Sequence, residues 1–267
     1  MFVNVLTPSQ HVPILSRLAQ ISVAIFYSSE SNLAALPQIE LPITNTLLSA
    51  LPRSEYRHLA CHLELQELTV GQLLSEPGET LHHVYFPVSA LLSLLAVVDD
   101  SELFTVGLVG REGVSSVASA LGSLVSPFRT LVQTSGQAMR MKARVFAKEL
   151  REGAPLRDLV LQSVLSLTVQ IAQTAACNRY HVIEERLARW LLMTRDRLAC
   201  DHFHMTHEML GHLMGVRRVG VTNAAFALKE RKLIDYNRGA IVIVDALGLE
   251  AAACSCYRRL ELRPGRT

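Results

Sequence analysis

Arg217, Arg218, Val219, Thr222 and Asn223 place two guanidiniums, an apolar branch, a hydroxyl and an amide within seven residues. At helical spacing these groups share one face, and as a set of donors and acceptors they suit phosphates and base edges in a DNA groove. The other clusters capable of chemistry carry less. Cys200, His202, His204, His207 and His212 crowd into thirteen residues, and His207-Glu208 opens like a zinc-peptidase His-Glu-x-x-His motif. That motif needs its second histidine four positions on. Position 211 is Gly, and His212 lies one further, about 140° round the helix from His207. A structural or regulatory metal at Cys200, His202 and His204 stays open, beside the plainer reading of polar residues at the entrance to a domain. Cys254-Ser255-Cys256 reads as structural, because two residues two apart on one helix cannot converge on one ion. No nucleotide-binding glycine loop and no nucleophile elbow occurs. The expectation is a chain without catalytic machinery, metal or cofactor.

The elements that would position the polar face are legible around it. Thr206 is suited to N-cap a short helix, with Glu208 in the first turn where the helix dipole favours an acid. That helix would run to Met214, burying Leu210, Leu213 and Met214, and Gly215 would end it in a left-handed C-cap. A second helix follows with Val221, Ala224, Ala225 and Leu228 on one stripe, and Gly211 lets the two cross closely. The pair is a helix-turn-helix whose candidate DNA contacts are Thr206, Arg217, Arg218, Val219, Gly220, Thr222 and Asn223. Two β-rich runs, 233–236 and 240–244, then flank Asn237-Arg238-Gly239, which predicts a hairpin. Helix-turn-helix plus hairpin is a winged helix, with Arg238 at the wing tip placed to meet a phosphate. Asp245 is suited to cap a last helix running from 246 to about 260.

Charge sorts the same way. From Arg186 onward there are 14 Lys/Arg against 8 Asp/Glu, so the overall net charge of +2 conceals a basic C-terminal third behind a mildly acidic remainder. Such asymmetry suggests nucleic acid bound at one end. The 267 residues suffice for two cores, and with 49% hydrophobic and 19% charged residues most of the chain should be globular. No unbroken apolar run reaches the ~18 residues of a membrane span, and the start lacks the basic head and apolar core of a secretory signal. Five scattered cysteines, Cys61, Cys177, Cys200, Cys254 and Cys256, are a reducing-compartment pattern. A cytoplasmic protein with no membrane partner is the expectation.

Residues 1–43 read as a loosely held N-terminal extension with a short helix near 14–26. Short helices are predicted at 45–48 and 52–63. Seven short β-rich runs follow, at 65–70, 72–75, 82–86, 91–98, 103–109, 128–133 and 137–141, broken by turn chemistry such as Glu76-Pro77-Gly78-Glu79. They predict an antiparallel β-roll, jelly-roll-like, over residues 44–150, with helical pieces at 114–121 and 143–150. The longest helix is predicted at 155–178, within a connecting segment 151–180. Val160, Leu167 and Thr174 recur every seven residues, as do Val164 and Ile171. This heptad pattern assigns Val160, Val164, Leu167 and Ile171 to a dimer interface, although a core helix of one subunit could look the same. A further helix, 181–198, would lead into a DNA-binding domain spanning 181–267. The class is α+β.

A β-roll, a long helix and a winged helix in that order resemble the Crp/Fnr family of bacterial transcription regulators. The resemblance covers roughly residues 45–257. It is carried by Glu76-Pro77-Gly78-Glu79 with His83-Val84-Tyr85-Phe86-Pro87, by Val109-Gly110-Arg111-Glu112-Gly113, and by Gly211-His212-Leu213-Met214-Gly215-Val216-Arg217-Arg218. Arg238-Gly239-Ala240-Ile241-Val242-Ile243 and Leu249-Glu250-Ala251-Ala252 resemble the family's wing and last helix. The resemblance implies a homodimer on a near-palindromic operator, contacts with RNA polymerase, and a cyclic-nucleotide-binding-like sensor. Members that bind cyclic AMP pair a glycine-and-glutamate turn with an Arg-Ser/Thr step. The matching positions here, and hence the candidate effector residues, are Gly110, Glu112, Gly113, Arg129 and Thr130, but the surrounding Ser126-Pro127-Phe128 fits that turn poorly. The effector is therefore not expected to be cyclic AMP. Cys61 alone in the sensor half argues against an iron–sulfur cluster. Val219 stands where many members carry a glutamate that accepts from cytosine, so the preferred operator should differ from the family's best-known one. The competing reading is a metal- or small-ligand-binding module whose main partner is not DNA.

Overall fold

The computed structural model describes residues 45–99 and 102–259. The extension 1–43, its helix near 14–26, and the chain beyond 259 lie outside the described residues. Asn45 caps α1 (Thr46–Ser49), accepting from the Leu48 amide at 3.0 Å. Its Nδ2 donates to the carbonyls of Pro87 (2.9 Å) and Gly113 (3.1 Å), so this wholly buried amide also ties the helix to the roll. After α2 (Arg53–Ala60) come β1 (Glu64–Leu68), β2 (Leu73–Ser75), β3 (His83–Pro87), β4 (Leu91–Asp99), β5 (Glu102–Val109), α3 (Val117–Ala120), β6 (Arg129–Thr134) and β7 (Gly136–Lys142). They form two antiparallel sheets, ordered β1-β7-β3 and β2-β6-β4-β5. Leu68 and Ala138 from the first pack with Leu92, Leu94 and Val132 from the second. The seven predicted strands are all present, shifted by a residue or two.

α4 (Ala143–Glu152) ends at Gly153, and α5 (Ala154–Tyr180) starts with Pro155 in its first turn, where a missing amide hydrogen costs nothing. One face of α5 closes the roll along β5, the outer strand of its sheet. Gly107 makes this possible, since a Cβ there would sit 2.5 Å from Leu167 Cδ1. Gln170 replaces a missing strand partner, accepting from the Leu108 amide at 2.7 Å and donating to its carbonyl at 3.2 Å.

This packing corrects the expected dimer seam. Val160 and Leu167 are 0% and 6% exposed within the single chain, and Val164 and Ile171 are half-buried, with Ile171 against the Leu167 cluster. Val160 and Leu167 attach the helix to its own β-roll, with Ile171 packed beside them. A different stripe, Leu161, Leu165, Thr168, Ala172 and Ala175, is exposed along the whole helix. α5 is also long and apolar enough to cross a membrane by length and composition. A search for unbroken runs misses this because Gln162, Ser163, Ser166, Gln170 and Gln173 interrupt it.

Beyond His181 the chain builds α6 (Ile183–Leu198), β8 (His202–His204), α7 (His207–Met214), α8 (Arg218–Glu230), β9 (Ile234–Asn237) and β10 (Ala240–Ile243). β8 was not foreseen. It pairs with β10 to make a three-stranded sheet ordered β8-β10-β9. Leu187, Leu191, Leu210, Val221, Leu228 and Leu249 are buried in one core, each burial contributing about 1.5–3 kcal/mol. Leu91 and Leu108 of the β-roll join the same core. The predicted last helix is broken: α9 (Ala246–Ala252) stops at Ala253, which has extended backbone (ψ 151°), and α10 (Cys256–Arg259) starts afresh. Cys254 and Cys256 therefore do not share one continuous helix.

Candidate DNA-binding surface

The crossing of α7 and α8 follows from small residues. Thr206 Oγ1 accepts from the Met209 amide at 3.1 Å, so its hydroxyl serves as an N-cap. Gly215 ends α7 with φ +63°, a conformation that disfavours any side chain. A Cβ on Gly211 would lie 3.0 Å from the Val216 carbonyl oxygen, so the turn and the start of α8 pass directly over it.

α8 then divides cleanly. Val221, Ala224, Ala225 and Leu228 face the core, while Arg218, Val219, Thr222, Asn223 and Phe226 are exposed, preceded by exposed Arg217 at the N-cap. Gly220 belongs to neither face as expected: it is half-buried, and a Cβ there would meet Ile183 Cδ1 at 2.8 Å, so it seats α8 on α6 rather than meeting a ligand. Phe226, 65% exposed, was not singled out by sequence. Its position eight residues after Arg218 is the signal that could have found it. Among the described residues Arg217, Arg218 and Arg238 form no ion pair. Lys229 and Arg231 are paired with Asp235 (2.7 Å) and Glu184 (2.8 Å). The arginines of the α8 N-terminus and the wing thus stand without a carboxylate while these two neighbours have one. Arg238 and Gly239 have φ +47° and +90°, and Asn237 pairs with Ala240, which is a type I′ hairpin turn with Arg238 exposed at its tip.

Thr222 is less free than its sequence position suggests. Its hydroxyl donates to the Arg218 carbonyl at 3.1 Å and stands 3.0 Å from His207 Nδ1. The His207 ring stacks on Tyr236 of β9 at 4.1 Å, so this residue links α7, α8 and the wing. Burial, and then the Arg218 charge, hold the His207 pKa below the ordinary 6.5. The folded state thus favours the neutral ring. That contribution to stability is present above pH 6.5 and lost as the pH falls through the lowered value. NMR titration of the ring should give a midpoint below 6.5 that rises in Arg218→Ala; an unchanged midpoint would refute the coupling.

The effector candidates do not come together. On β4, Leu92 pairs with Val109 on one side, whereas Leu95 pairs with Arg129 on the other. Arg129 is thus displaced from the Gly110–Gly113 turn by three strand residues or more, about 10 Å at ~3.4 Å per residue. Arg129 is held by Glu76 at 2.8 Å, and buried Thr130 accepts from Ser75 Oγ at 3.0 Å. Glu112 Oε1 lies 2.9 Å from Arg197 Nε of α6, and a Cβ on Gly110 would meet Arg197 Cβ at 2.5 Å. The turn is docked on α6. It also edges a cleft of about 840 Å³ between the roll, α5 and α6. Cys200 Sγ approaches His202 Nδ1 at 3.2 Å, but His204 does not converge with them on one point.

A helix-turn-helix with an I′ wing, carried behind a two-sheet β-roll and a long connecting helix, defines a winged-helix protein with an N-terminal β-roll. Residues 185–252 match the Crp-like helix-turn-helix domain. The chain is 24% identical over 197 residues to the global nitrogen regulator of Synechococcus elongatus, covering 70% of this chain and 88% of that protein. Its fold is similar to that of FixK2 from Bradyrhizobium japonicum, with a TM-score of 0.63 at 13% identity, covering 72% of this chain and 98% of the other. It is also similar to the c-di-GMP responsive global regulator CLP of Xanthomonas campestris, with a TM-score of 0.58 at 14% identity, covering 72% and 99%. The chain carries a Crp-like helix-turn-helix domain and is a DNA-binding transcriptional regulator whose fold is similar to that of Crp/Fnr regulators.

Proposed function

We propose that this regulator acts in the cytoplasm as a homodimer that lays α8 of each subunit in successive major grooves of a near-palindromic operator. The observation that carries the reading is the exposed α8 face, where Arg217 and Arg218 have no carboxylate partner while the neighbouring Lys229 and Arg231 do. Arg218 and Asn223 are the candidate base readers, Val219 and Phe226 the candidate contacts to thymine methyls, and Arg217 and Arg238 the candidate phosphate contacts. Thr206 and Thr222 support this surface by capping α7 and fixing α8, and Gly220 seats α8 against α6. Dimerisation through the exposed stripe of α5 would space two α8 helices one DNA turn apart. The bound dimer then contacts RNA polymerase, as expected for this family. Selection from random duplexes with the full chain should enrich half-sites about 10–10.5 base pairs apart, centre to centre. Enrichment of no sequence would defeat the proposal.

The sensing role falls to the β-roll, with an effector other than cyclic AMP. Arg129 is occupied by Glu76, and Glu112 by Arg197. Calorimetry should accordingly show no tight binding of cyclic AMP or cyclic GMP. Micromolar binding that Arg129→Ala abolishes would overturn this.

A further inference from the structure

We propose that Cys177, His181, Cys254 and Cys256 form a four-coordinate zinc(II) site that clamps the end of α5 to the last segment of the DNA-binding domain. The four donor atoms all lie within 4.8 Å of one another, the one such convergence of potential metal ligands among the described residues. At zinc–sulfur and zinc–nitrogen bonds of about 2.3 and 2.0–2.1 Å, the edges of a tetrahedral site are about 3.5–3.8 Å long. Cys177 Sγ and Cys254 Sγ stand 3.5 Å apart, and Cys256 Sγ and His181 Nδ1 3.4 Å. Two of the six edges are thus at or near coordination length already, and small movements close the rest.

The donor set selects the ion. Three thiolates and an imidazole in a tetrahedron suit zinc, and four protein ligands leave no open position for substrate, which makes the site structural or regulatory. The spacing encloses one ion and leaves no room for a cluster of irons and sulfides between the thiols. The surroundings fit a bound anionic centre, since three thiolates around zinc(II) leave one net negative charge. Gln173 Nε2 donates to Cys256 Sγ at 2.9 Å, an outer-shell contact of the kind that orients metal ligands. Arg186 and Arg189 line the same small cavity as Cys177, yet among the described residues neither pairs with a carboxylate. Arg189 is only 4% exposed, and its Nε has no hydrogen-bond partner. A buried guanidinium needs a countercharge, and the metal thiolates supply it.

The break after α9 creates the site. Extended Ala253 turns the chain so that Cys254 and Cys256 both reach the end of α5, where Cys177 sits in the last turn and His181 is the C-cap. The clamp spans the junction between α5 and α6, the covalent link between the β-roll and the DNA-binding domain. Metal occupancy therefore fixes how α8 is presented relative to α5.

The full chain, expressed without a polyhistidine tag in zinc-replete medium and purified anaerobically, should carry about one zinc per chain. Cys177→Ser and Cys256→Ser should each lower that content at least about tenfold. Cys200→Ser, which removes a thiol beside His202 outside the site, should leave it unchanged. Should the serine variants fail to fold, the wild-type chain still decides. After metal removal and addition of cobalt(II), it should show thiolate charge transfer and the intense visible bands of a tetrahedral ion. A chain that is isolated metal-free and gives no such spectrum overturns the proposal. So does a Cys177–Cys254 disulfide found in the anaerobically purified protein.

Discussion

Leu165→Glu is expected to give folded monomers, whereas Leu167→Glu, two positions along the same helix, is expected not to fold. The two side chains stand on opposite sides of α5. Leu165 is 57% exposed, in the stripe Leu161, Leu165, Thr168, Ala172 and Ala175, whose spacing of four, three, four and three is that of a two-stranded coiled coil. Its small residues toward the C-terminal end let two helices approach closely. A carboxylate at 165 meets its symmetry mate in that seam and separates the subunits. Each half-site then binds one subunit without help from the other, and operator affinity falls by about 10²–10⁴. Leu167 is 6% exposed against Gly107 and Leu94 of its own roll. A charge there has no partner, and its burial consumes much of the ~5–15 kcal/mol that a domain has in reserve. Sedimentation velocity with circular dichroism separates the outcomes. A Leu165→Glu protein that stays dimeric removes this stripe from the interface.

The contrast shows what the sequence could and could not reveal. The helix-turn-helix was legible because its signals are local: Thr206 caps within three residues, Gly215 takes its left-handed turn by itself, and Val221 to Leu228 repeats within two turns. The wing was legible for the same reason, in Arg238 and Gly239. α5 was harder, because it has two apolar stripes and periodicity cannot say which meets the roll and which meets solvent. Val160 and Leu167 keep a strict interval of seven, yet their burial depends on β5 and on Gly107, far away in sequence. The effector residues failed through strand register: Arg129 matches a family step in one dimension, but β4 sets it beyond the reach of Gly110 and Glu112. For Cys254 and Cys256 the spacing implies an unbroken helix that holds them apart, and the extended backbone at Ala253 breaks that helix. In the sequence His207 reads only as part of a histidine cluster. Its stacking on Tyr236 requires the wing to fold back on α7, which spacing alone does not encode.

Arg218→Ala is expected to weaken operator binding by about 1–3 kcal/mol per contact and to relax preference at one base pair in each half-site. Arg217→Ala is expected to weaken all sequences about equally and to reduce the salt slope by roughly one per subunit. The difference rests on where the two arginines stand. Arg218 is the first helical residue of α8, at the end that enters a groove first, and its side chain is exposed. Arg217 is the exposed N-cap residue, outside the helix proper, with extended backbone (φ −65°, ψ 140°). Thr222 has committed its hydroxyl to the Arg218 carbonyl and to His207, which leaves Arg218 and Asn223 as the hydrogen-bonding groups free on that face. Neither arginine supports the fold through an ion pair, so their removal should leave the melting temperature nearly unchanged, and lost affinity can be read as lost contact. Binding measured across salt concentrations, on the selected operator and on its single-base variants, separates the roles. Uniform weakening from both substitutions would make Arg218 a phosphate contact, and an effect from neither would take α8 out of the groove.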